Sequence, residues 1–104
     1  MVHRVRREVL PRIVEVWAPT EVILFHPPDK PVDSAGQAPG ILIVSRSFEG
    51  TPVAERVGIA RAVLAEYFLV RPLCLTPAEF ARAAGVPGPV LAAARTGVRL
   101  LERS

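Results

Sequence analysis

Asp29 and Asp33 stand four positions apart in a stretch, His26 to Pro39, that also holds four of the chain's eleven prolines. Two carboxylates in one loop can grip a divalent cation such as Mg²⁺ when a third oxygen ligand comes from elsewhere. Aspartates also favour turns outright, because their side chains accept hydrogen bonds from nearby backbone N–H groups. Solvated turn residues are the reading this spacing favours. Other chemistry is thinly supplied. His3 and His26, the two histidines, lie far apart and outside metal-ligand spacing. Ser34, Ser45, Ser47 and Ser104 have no patterned histidine nearby to activate a hydroxyl. No glycine-rich loop runs into Lys-Ser or Lys-Thr to cradle a phosphate. Cys74, the lone cysteine, sits between Leu73 and Leu75 and reads as a small core hydrophobe. His26, Lys30 and Arg46 could bind an anion without any metal, although the plainer role for His26 is packing at a strand end.

These residues need elements to position them. Val22–Phe25 and Ile41–Val44 are short β-branched and aliphatic runs bounded by turn formers, and both predict buried strands on either side of the loop. Because both are continuously apolar, both faces of their sheet should be covered. Before them, Val5, Val9, Ile13, Val16 and Trp17 form one helical stripe within residues 3–17. Pro11 should kink or restart that helix, since it removes a hydrogen bond and crowds the preceding turn. Ala18-Pro19 should end it.

After Ser45 a short connection leads to a helix in which Thr51 is placed to cap and Pro52 to occupy the first position. Its expected buried stripe is Val53, Val57, Ala60, Leu64 and Tyr67, with Glu55, Arg56, Arg61 and Glu66 facing water. Leu69–Leu75 reads as a third strand, and Pro72 within it argues for a sheet edge or a bulge. Thr76-Pro77-Ala78-Glu79 has the form of a capping box opening a helix to about Ala84. Pro89–Thr96 reads as another helix, with Gly97 suited to a left-handed cap, and Val98–Leu101 as a last strand. The expectation is an α/β (α+β) domain over residues 1–104, with one mixed sheet of about four strands and helices packed on it.

Composition narrows the class. Half of the 104 residues are apolar, which argues against disorder. No apolar run approaches the roughly 18 residues needed to cross a bilayer, so no membrane partner is expected. The basic start, MVHRVRREVL, is not followed by an apolar signal core, so a cytoplasmic location is expected. The formal charge is +3, and 12 of the 13 basic residues are arginine, a bias better explained by a GC-rich, thermophile-like genome than by nucleic-acid recognition. Among them only Arg4, Arg6 and Arg7 cluster, beside His3, so nucleic-acid binding is a weak expectation.

Taken in order, several segments resemble the small prokaryotic nucleotidyltransferases of the DNA polymerase beta superfamily. They are the first apolar strand and its loop, the second strand ending Val44-Ser45, Phe48-Glu49-Gly50, Ala54-Glu55-Arg56, Leu73 to Phe80, and Val90 to Leu100. In that family a Gly-Ser after the first strand holds a nucleoside triphosphate. An Asp-x-Asp opening the second strand binds two Mg²⁺ ions, and a third acid lies on the next strand. Laid on this chain without a gap, His26 stands at the Gly, Pro27 at the Ser, and Ala38 and Gly40 at the two Asp positions. Arg71 falls near the third acid. The resemblance thus implies a nucleotidyltransferase-like fold with a degenerate active site, because two-metal phosphoryl transfer needs carboxylates that these positions do not offer.

From this follows the leading expectation, a pseudoenzyme with no cofactor that acts through a protein partner or as a homodimer. The resemblance makes a helical, toxin-type protein the partner, with this chain as an antitoxin-like or regulatory component. Two alternatives stand beside it. One is a working Mg²⁺- and nucleotide-dependent transferase that uses Asp29, Asp33 or Glu49. The other is a nucleotide or nucleic-acid binding module built on His26, Lys30 and Arg46.

Overall fold

Pro11 has no amide hydrogen to give, and the first helix changes its winding just before it. Val5–Val9 forms a π-helical segment, and Leu10–Trp17 (α1) continues as an α-helix with the proline in its first turn. The computed structural model describes residues 5–25, 40–65 and 71–102. Helix α1 ends where Ala18 turns left-handed (φ 45°) and donates its N–H to the Val14 carbonyl. Its inner face is Val9, Ile13 and Trp17, all buried, whereas Val16 is exposed and drops out of the expected stripe. Each such burial contributes on the order of 1.5–3 kcal/mol, enough to hold a helix that lacks a side-chain cap.

The strands are β1 (Glu21–Phe25), β2 (Gly40–Val44), β3 (Arg71–Leu75) and β4 (Val98–Glu102). They form one mixed sheet in the order β3-β2-β1-β4, with β1 antiparallel to β2 and β4, and β2 parallel to β3. This is the expected α/β architecture. Pro72 does lie on an edge strand, where its missing N–H costs no interior pairing. A bulge between Val22 and Ile23 in the β1–β4 pairing leaves Leu100 without an opposite residue, and both Leu100 and Leu101 pack on the same core.

Both sheet faces are covered, as the unbroken apolar runs require. On one face Val22, Leu24, Ile41, Ile43 and Cys74 meet α1, Phe48 and residues Ala60 and Leu64 of α2 (Val53–Leu64). On the other, Ile23, Leu42 and Val44 meet Phe80 of α3 (Pro77–Ala83) and Val90 and Ala93 of α4 (Pro89–Thr96). Among the described residues no helix is long and apolar enough to cross a membrane.

Three local expectations are corrected. Pro52 stands at the N-cap of α2 and Thr51 supplies no side-chain cap; the Pro52 carbonyl accepts from Glu55 and Arg56 instead. Within α2 the inward line is Arg56, Ala60 and Leu64, spaced by four, while Val53 is half exposed. Tyr67 and Glu66 lie outside the described residues. Gly97 has φ −74° and is not left-handed. It is glycine because a Cβ there would come within 2.5 Å of both the Ala93 carbonyl oxygen and Ile23 Cγ2.

The capping box of α3 forms as read: Thr76 Oγ1 accepts from the Glu79 N–H (3.2 Å) and Glu79 Oε1 accepts from the Thr76 N–H (2.8 Å). Arg56 adds to it, donating from Nη1 to the same Glu79 oxygen. That hydrogen bond, then the one from Thr76, holds the Glu79 carboxyl at about 2, below its ordinary 4.5. A depressed acid stabilises the fold above its unfolded pKa, and that contribution is lost as pH falls from about 4.5 toward 2. Glu79 is partly exposed, so the effect is screened. Glu79→Gln should lower the melting temperature at pH 7 and converge on the parent near pH 2, measured by circular dichroism across pH.

Candidate functional site

Gly40 opens β2, and its register neighbours are Phe25 on β1 and Arg71 on β3. Two positions of the expected site, Gly40 and the backbone of Arg71, therefore share one end of the sheet with Phe25, the residue before His26. The remaining loop positions (His26, Pro27, Lys30 and Ala38, with Asp29 and Asp33) lie outside the described residues. Arg46 and Glu49 do not join this end. They follow β2 at its far end, about 13 Å along the strand from Gly40 at 3.3 Å per residue.

At Gly40 the space beside the backbone is already taken. A Cβ built there would stand 2.3–2.7 Å from three atoms of the Phe25 ring. The far end of the ring fills the space that a side chain on the opposite residue would take, which the glycine leaves open. A carboxylate at this position would have to displace the ring. Gly40 is buried, so its negative charge would also carry a desolvation cost unless a cation paired with it. Among the described residues no group of three His, Cys, Asp or Glu side chains converges to hold a metal ion.

The polar side chains that the fold does bring together sit at the opposite end, where β2 and β3 finish. Arg56, nearly fully buried, donates from Nε to the Thr51 carbonyl (2.7 Å) and from Nη1 to the Cys74 carbonyl (3.3 Å) and Glu79 Oε1 (2.5 Å). Its guanidinium carbon lies 5.9 Å from the centre of the Phe48 ring, and that ring is 5.8 Å from Trp17. Ser45 Oγ donates to the Trp17 carbonyl (2.7 Å) and accepts from the Ser47 N–H (3.1 Å), and its own N–H donates to Leu75 (2.9 Å). These groups bond to one another, and the network joins α1, β2, α2, β3 and α3.

Cys74 lies against this network. Burial pushes its thiol up to about 11 from 9.0, with the nearby Arg56 charge pulling slightly the other way. At neutral pH it is a protonated thiol, hence a poor nucleophile. Arg56 is the residue sequence reasoning missed, having been placed on the water-facing side of its helix. The signal was its spacing of four and eight from Ala60 and Leu64, the two residues of α2 that do reach the core.

Comparison of the chain with known protein families, curated proteins and solved structures finds no match.

Two outcomes follow. Gly40→Asp should destabilise the fold by about 1–3 kcal/mol, the range for overpacking. Phe25→Ala in the same chain should recover part of the loss, read from urea midpoints in a double-mutant cycle. Cys74 should resist a thiol reagent such as DTNB at pH 8 in the folded chain and react fully in denaturant; rapid reaction without denaturant would contradict its burial.

Proposed function

We propose that this chain is a nucleotidyltransferase-like domain without transfer chemistry, working in the cytoplasm through contact with another protein chain or with itself. One observation carries the reading. The Phe25 ring packs on Gly40, the position where the resemblance calls for a metal-binding aspartate, so that place serves the core. Register adds support, because Gly40 and Arg71, assigned by the resemblance to two acids of one metal site, are direct neighbours across β2 and β3. An arginine there would repel a metal ion rather than hold it. Pro27, at the position of the triphosphate-binding serine, has neither a hydroxyl nor a backbone N–H to give.

A helical, toxin-type protein is the partner the resemblance favours, with a second copy of this chain as the other candidate. The use of Glu49 as a substitute metal ligand draws no support, since it stands at the far end of β2 from Gly40.

The test is calorimetric titration of the full chain with ATP, with and without Mg²⁺, alongside transfer of a labelled nucleotide to protein or RNA. Flat heats and no label transfer are expected. Saturable Mg²⁺-dependent heat with Kd below about 100 µM, or any label transfer, would overturn the reading.

A further inference from the structure

Gly58 sits in the middle of α2, and nothing among the described residues calls for it. Its φ is not among the positive values, and a Cβ added there would meet no atom of the described residues within 4 Å. A glycine in a helix interior sacrifices stability that alanine would keep. The face around it is exposed: Ala54 and Ala62 flank it one turn either way, and Ile59 beside it leaves half its surface in water. Glu55 and Arg61, three positions before and after Gly58, are also exposed. Neither makes an ion pair or a side-chain hydrogen bond among the described residues.

We propose that this outward face of α2 binds a second copy of the chain, helix against helix, antiparallel about a two-fold axis at Gly58. The charges select the occupant. Turning the helix end over end about Gly58 brings Ala54 to the height of the second copy's Ala62, and Glu55 to the height of its Arg61. Both ion pairs then form at once across one isologous contact. A face with two like charges, or with a charge on one side alone, would not complement itself. Glycine at the axis lets the two backbones come closer than the usual 8–10 Å between helix axes, and Ile59 is covered by its counterpart. The helix is 12 residues long, about 18 Å. One helix pair buries less than the ~1,000 Å² of a stable interface, so the dimer is weak and concentration-dependent.

This gives a surface to the self-association branch of the proposed function and rests on that reading only there. Nucleotide titration tests the lost chemistry, and sedimentation tests this contact. Sedimentation velocity on the full chain from about 5 to 500 µM should show a monomer–dimer equilibrium with Kd in the micromolar to sub-millimolar range. Gly58→Leu fits the open space and improves the helix, so its melting temperature should hold or rise while the dimer is lost. Glu55→Arg alone and Arg61→Glu alone should each weaken association at least several-fold, and the double swap should restore it. A chain that stays monomeric at every concentration overturns the proposal and leaves the face to a different protein. So does a dimer indifferent to Gly58→Leu, or charge swaps that fail to rescue one another.

Discussion

The rest of this fold depends on the burial of one cation. Arg56 enters the core from α2, and removing a guanidinium from water is tolerable only where hydrogen bonds replace the lost hydration. Thr51, Cys74 and Glu79 provide them. These three partners belong to different parts of the chain: the approach to α2, the edge strand β3, and the first turn of α3. Helix α2 covers one face of the sheet, whereas α3 contributes Phe80 to the other. The Arg56–Glu79 pair therefore reaches around the end of β3 and ties the two helical layers together. An edge strand bearing a proline has few other means of fixing what lies on either side of it.

The two ends of the β2–β3 pair contrast sharply. Where the strands finish, polar groups are dense, with Ser45, Ser47, Thr76, Glu79 and Arg56 each bonded within the network. Where the strands begin, an aromatic ring lies on a glycine. Buried polar networks of the first kind specify one arrangement of elements because any slip strands an unsatisfied group. Packing of the second kind removes space.

Three glycines show how one residue type answers to different causes. Gly40 is glycine because a ring covers it, and Gly97 because a helix end and a strand press on it. Gly58 has neither reason among the described residues. An exposed helical glycine that the monomer does not need is consistent with a contact made outside it. That is how the outward side of α2 differs from an ordinary solvated helix face.

Much of the secondary structure was legible in the residues themselves. Short apolar runs bounded by turn formers marked β1 and β2, and the Thr76–Glu79 capping box and the prolines at helix starts placed α3, α4 and the restart at Pro11. Local stereochemistry governs those features, so adjacent residues suffice to read them. What the sequence alone could not decide was the use of residues whose reasons lie far along the chain. Arg56 looks solvent-facing until Cys74 and Glu79, 18 and 23 positions later, are brought to it. Gly97 looks like a cap until Ile23 arrives beside it, and nothing near Gly40 in the sequence shows that the Phe25 ring takes the space a side chain there would need. Each was settled by register and layer packing, which are properties of the closed sheet and not of any one segment.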